Sequence, residues 1–279
     1  MLRPSRDRDR AWGGADRGGR GEPMGQVHYD KQGRIVVLTM EGDTDLNIGM
    51  VGPELYARLD EYAADDELWC CIITGAGQRA FSAGGNLQRM AAAGGPGRGS
   101  VWDPPPPNVI TGQPLWKPLI AAVNGYCVGA GCMLALACDI RIASENAEFG
   151  IPEIQYGFPP GLGAPQRLPR TIALGPALEM LLTGDRISAQ QALQWALVNR
   201  VVPQAALMDE ALRLAGRIVA NPPLAVRATK ELVYRGLEMS VVDGIRMSGL
   251  FGTLSRDTED AREGLRAFKE KRKPEFQGR

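Results

Sequence analysis

The chain has 279 residues, 44% of them hydrophobic, which is enough for one large core or two small ones. Lys+Arg and Asp+Glu both number 32, a balance that argues against binding nucleic acid through bulk charge. With one histidine, and five cysteines in no C-x-x-C or metal-ligand spacing, acid–base chemistry at neutral pH falls to carboxylates, tyrosines or lysines.

Residues 1–23 hold six arginines, five glycines and four acidic residues with almost no large apolar side chain, and read as a disordered tail. No apolar h-region follows, and Asp7, Asp9 and Asp16 argue against a transit peptide. Strand-like sequence starts directly after Met24, which suggests that residue as the true initiator. The folded part then carries 26 basic and 28 acidic residues, a net of −2. RNA binding would rest on this Arg/Gly-rich tail alone, and would be steeply salt-dependent and lost on its deletion.

Val27 to Tyr29 and Arg34 to Met40 flank Asp30-Lys31-Gln32-Gly33, a hairpin signal that makes His28 an ordinary strand or surface histidine. A helix is expected from Asn47 or Met50 to Ala64, with Leu55, Leu59 and Tyr62 on one side. Cys70 to Thr74 reads as a buried strand. It leads through a loop to Ala83-Gly84-Gly85 and a helix start. Ala91 to Pro118 is rich in glycine and proline, and a loop this long in a compact domain is either functional or disordered. It contains Trp102 and Trp116.

Pro118 to Asp139 carries no formal charge before Asp139. Leu119 to Val123 suits a buried strand, Asn124-Gly125 a turn, and Cys132 to Cys138 a buried helix behind Gly129-Ala130-Gly131. The glycines exclude a membrane span here. A glycine-rich turn feeding a helix leaves N–H groups free and aims the positive helix end at one point, a place to hold or stabilise an anion. Ile140 to Ala143 is the next strand. After Arg170 helices are expected near Thr171–Thr183, Ala189–Ala196, Ala205–Val219, Pro223–Glu238, Val241–Ser255 and Thr258–Lys271. The last aligns Arg262, Arg266, Lys269 and Lys273, which read either as a solvated face or as an anion contact. All five cysteines fall in apolar patterns, as buried free thiols in a reducing, cytoplasmic setting would.

Three motifs in order, AFSAGGNLQRM (Ala80–Met90), PLIAAVNGYCVGAGCMLALACD (Pro118–Asp139) and FGIPEIQYGFPPGLGAPQRLPR (Phe149–Arg170), make the chain resemble the enoyl-CoA hydratase/isomerase superfamily, the crotonase fold, from about Gln26 to the C-terminus. The resemblance implies an α/β fold, a spiral of β-β-α units over residues 24–203 with a C-terminal helical region over 204–279. It implies an acyl-CoA substrate, no cofactor beyond the coenzyme A of that substrate, and a homotrimer or dimer of trimers. The oxyanion-hole amides would be those of Gly85 and Ala130, and the acid–base residue Glu153. Ala83, Asn86, Met133, Tyr156, Trp102 and Trp116 would border the substrate, the tryptophans doing so unless they merely anchor their loop. Lys269 and Lys273 would meet the phosphates, often from a neighbouring subunit. Two departures stand out. Asn86 occupies a position where aspartate is common. Met133 stands where hydratases carry the first of two water-activating glutamates. The residue set therefore fits double-bond isomerisation best. Hydration through a substitute group and a non-catalytic CoA-binding member remain alternatives.

Overall fold

The structure, a computed structural model, describes residues 25–92, 94 and 107–279. The tail read at residues 1–23 and Trp102 lie outside the described residues.

Two strands, β1 (Gly25–Gln32) and β2 (Ile35–Gly42), form the expected antiparallel hairpin, turned at Gly33 with φ 60°. Helix α1 (Pro53–Ala64) buries Leu55, Leu59 and Tyr62 as anticipated. It starts later than the sequence suggests. Asn47, Gly49 and Gly52 shape an irregular turn, and Pro53 fits the first helical position, where its missing N–H is not needed.

Three β-β-α turns follow. The first is β3 (Cys70–Gly75), β4 (Ala80–Ser82) and α2 (Leu87–Ala92). The second is β5 (Leu119–Val123), β6 (Tyr126–Val128) and α3 (Ala130–Ala137). The third is β7 (Ile140–Ser144), β8 (Glu148–Gly150), a 3-10 turn over Pro152–Tyr156 and α4 (Ala164–Thr171). The helix expected at Thr171–Thr183 is α5 (Leu174–Thr183), and α4 before it was not anticipated. Then come β9 (Ile187–Ser188), α6 (Ala189–Gln194), β10 (Arg200–Val202), α7 (Leu207–Val219), α8 (Pro223–Gly236), α9 (Val241–Arg256) and α10 (Glu259–Glu270).

The first strand of each turn joins a six-stranded sheet, β1-β2-β3-β5-β7-β10, parallel from β2 onward. The second strand joins a smaller sheet, β4-β6-β8-β9. In the large sheet the side chains alternate between two apolar layers. Cys71, Ile73, Leu119, Ala121 and Val123 face the main core, while Cys70, Ile72, Ile120 and Ala122 pack under Leu207, Ala211 and Ala215 of α7. Burial on both faces is why these strands read as unbroken apolar runs. All five cysteines are free and buried within this packing.

Candidate active site

In the small sheet β4, β6 and β8 lie side by side and parallel, so their C-terminal ends share one edge. Chain segments leaving that edge are where parallel sheets gather ligand-binding groups. From β4 comes Ala83-Gly84-Gly85, from β6 Gly129-Ala130, and from β8 the 3-10 turn that carries Glu153.

The two glycine loops touch through their backbones. A Cβ on Gly84 (φ 92°) would lie 2.8 Å from the Val128 carbonyl oxygen and 3.4 Å from the Ala130 nitrogen. Gly129 (φ 56°) is in a conformation open only to glycine, and a Cβ there would meet Glu153 Oε1 at 3.0 Å. The Gly129 N–H donates to the Gly150 carbonyl at 2.9 Å, tying the second loop to the third. Helix α3 starts at Ala130, two residues earlier than anticipated. Gly131 lets its first turn press on β4, since a Cβ there would sit 2.2 Å from the Ser82 carbonyl oxygen.

A segment that sequence reasoning missed casts the first loop. The Ala83 N–H donates to the Leu46 carbonyl at 2.9 Å, the Gly84 carbonyl accepts from Gly49 N–H at 2.8 Å, and Ser82 Oγ donates to the Asn47 carbonyl at 2.9 Å. Asn47 is 1% exposed with φ 48°, and its side chain bonds Gly42, Ala76 and Ala80 backbone groups. The available signal was an asparagine, tolerant of left-handed backbone, inside a glycine-rich turn.

Among the described residues, neither the Gly85 nor the Ala130 amide has an acceptor within the protein. Glu153 leans against Gly129, and its Oε2 is buried with no hydrogen-bond partner. Burial raises its pKa above the ordinary glutamate value, only partly offset by a backbone hydrogen bond that lowers it. Met133 lies in the first turn of α3, 3% exposed among apolar side chains. Tyr156, three residues past Glu153 on the 3-10 turn, is 51% exposed and stacks on Phe158. Asn86 caps α2, its Oδ1 accepting from the Arg89 N–H at 3.0 Å.

Other expected residues are not brought together here. Trp116 lies at the opposite end of α3, in a cavity with Ala137, Asp139 and Tyr234, under the Arg235 guanidinium. It lies in the segment that enters β5, at the other end of α3 from Gly129 and Glu153. Lys269 and Lys273 are exposed, and neither ammonium has an ion-pair partner among the described residues. The expected basic row is broken, because Glu263 takes Arg266 and Arg272. Asp139 is a structural acceptor, taking hydrogen bonds from Leu119 N–H, Lys230 and the Tyr234 hydroxyl. Glu148 pairs with Arg186 at 3.1 Å.

The sequence model of the family described as enoyl-CoA hydratase/isomerase matches residues 30–279. Among curated proteins, the (E)-benzylidenesuccinyl-CoA hydratase of Thauera aromatica is 40% identical, the alignment covering 90% of this chain and 99% of that protein. The 2,3-dehydroadipyl-CoA hydratase of Escherichia coli is 39% identical, with coverage of 92% and 100%. The carnitinyl-CoA dehydratase of Proteus mirabilis is 42% identical over 77% of this chain and 84% of its own. Among solved structures, an enoyl-CoA hydratase from Mycobacterium tuberculosis superposes with a TM-score of 0.82 at 33% identity, covering 91% of this chain and 99% of that one.

Proposed function

This chain belongs to the enoyl-CoA hydratase/isomerase family, and from that premise we propose that it performs enolate chemistry on an enoyl-CoA thioester with Glu153 as the single acid–base group. The observation that carries the reading is Glu153 Oε2, buried with no hydrogen-bond partner among the described residues, on a half-buried side chain that leans on Gly129 next to the Ala130 amide. Desolvating a carboxylate costs stability, and the one backbone hydrogen bond to Glu153 offsets that cost only in part. A scaffold without chemistry has no use for such a carboxylate.

The Gly85 and Ala130 N–H groups would hold the thioester oxygen as negative charge grows on it. Each such donor is worth about 3 kcal/mol of barrier in comparable oxyanion holes. The positive end of α3, directly behind Ala130, adds to the same stabilisation. Glu153 would take a proton from the α-carbon of a 3-enoyl thioester and return it at the γ-carbon, giving the conjugated 2-enoyl isomer. Its raised pKa suits that task, because a carboxylate with a higher pKa is a stronger base toward the α-proton. Met133 cannot relay a proton, and with it in place of a second glutamate isomerisation is the preferred reaction.

Hydration is the second reading, favoured by relatives that are themselves named as hydratases and dehydratases. It needs another group to orient the water, and Tyr156 follows Glu153 by three residues on a 3-10 turn, where such side chains align. Exposed Leu237, Val241, Ile245, Leu250, Leu254 and Phe268 on and around α8–α10 support self-association, as a trimer or pair of trimers.

The test is turnover in D₂O of 2-enoyl-, 3-enoyl- and 3-hydroxyacyl-CoA esters, followed by mass spectrometry beside Glu153→Gln. Isomerisation or exchange without added water, abolished in the variant, is the expected result. Hydrated product moves the assignment to the second reading. Thioester binding with no conversion of any ester removes both.

A further inference from the structure

Helix α2 leaves the first glycine loop, and all six of its residues are exposed. Burial therefore does not hold it in place. Asn86 does, through its side chain on the Arg89 N–H and its carbonyl on the Met90 N–H, both at 3.0 Å. The turn so fixed lays the Met90 methyl group against Gly85, where a Cβ would lie 2.9 Å from Met90 Cε. Met90 is 36% exposed, so the same side chain reaches from the Gly85 backbone to solvent.

We propose that Met90 is a specificity-determining residue, its methyl group packing against the acyl group beside the thioester carbonyl and limiting branching there. The proposal rests on the reading that the Gly85 amide holds the thioester oxygen. An oxygen about 2.9 Å from that nitrogen puts the carbonyl carbon and its substituents within roughly 5 Å of Gly85. The Met90 methyl occupies that shell already. A straight acyl chain passes an unbranched, freely rotating thioether at little cost. A methyl branch on the α-carbon competes with it for the same volume. Because the Met90 methyl already lies against Gly85, the size of this one side chain sets the allowance.

The experiment measures dissociation constants of butyryl-CoA and 2-methylbutyryl-CoA by calorimetry for the wild type, Met90→Ala and Met90→Phe, with turnover of the matching enoyl esters alongside. The wild type is expected to prefer the straight chain. Met90→Ala reduces that preference about tenfold by a gain for the branched ester, the range one methylene commands in an apolar site. Met90→Phe increases it. A preference unchanged within about twofold across the three proteins overturns the proposal, and so does an equal loss for both esters in Met90→Ala. Selective binding without turnover sinks the reaction proposed above and leaves Met90 standing. Absence of thioester binding in all three proteins overturns both.

Discussion

The two sheets are built from the same β-β-α turns and do opposite work. In the large sheet β2, β3, β5 and β7 run five to eight residues and are almost wholly buried, so their sequence is set by packing. In the small sheet β4, β6 and β8 have three residues each and end in glycine loops or a 3-10 turn. Cohesion is concentrated in the first and the proposed chemistry at the edge of the second. A change in one should therefore leave the other's property nearly intact.

The largest expected effect tests the small sheet alone. Glu153→Gln should lower kcat about 10³-fold, the middle of the range for a lost acid–base group. Stability should not fall. The folded pKa of Glu153 is raised, so its ionisation favours the unfolded chain as pH climbs through that value. The variant should therefore melt slightly above wild type at neutral pH, with the difference vanishing in acid. The wild-type rate should decline as pH drops through the same raised pKa, because the proton acceptor is then neutralised.

Ile72→Ala inverts the experiment. It hollows the layer under α7 and should cost about 3 kcal/mol in chemical denaturation, with kcat preserved well below the melting temperature. A large rate loss in that variant would break the separation of roles. Gly129→Ala should strike both properties, since its Cβ meets Glu153 and its backbone is left-handed. About 2 kcal/mol of stability and about 10²-fold in rate are the expected losses, read by melting and by steady-state kinetics. The smallest effect is a gain. Met133→Glu supplies the second carboxylate and should raise the ratio of hydrated to isomerised product about tenfold, within the reach of one added acid–base group. No change in that ratio would mean that Met133 does not face the reacting atoms.

The same contrast explains what could be read from sequence. The hairpin, β3, β5, α3 and the Gly84-Gly85 and Gly129-Ala130 loops were legible, because apolar runs and glycines announce themselves locally, while Glu153 was reached only through the resemblance to the family. Strands β4, β6 and β8 were not, since three residues carry no measurable alternation and their pairing is tertiary. Helix α4 was hidden by Pro165 and Pro169, which read as loop yet fit because it packs on α3. Asn47 looked like ordinary turn sequence, and its network with Ala76 and Ala80 exists only once the chain has closed. Trp116 stayed between lining the acyl group and anchoring its loop, because its place under the Arg235 guanidinium is set by tertiary packing.

The acceptor-less amides also make this protein its own spectroscopic probe. Gly84 N–H is engaged by Ser82 Oγ, and Met133 N–H by the Gly129 carbonyl. The Gly85 and Ala130 protons have no acceptor among the described residues. In hydrogen–deuterium exchange these two should label quickly inside an otherwise protected neighbourhood. A thioester that seats its oxygen between them should slow both together, and an adduct held elsewhere should leave them fast. The pair thus distinguishes productive from unproductive occupancy without any turnover being measured.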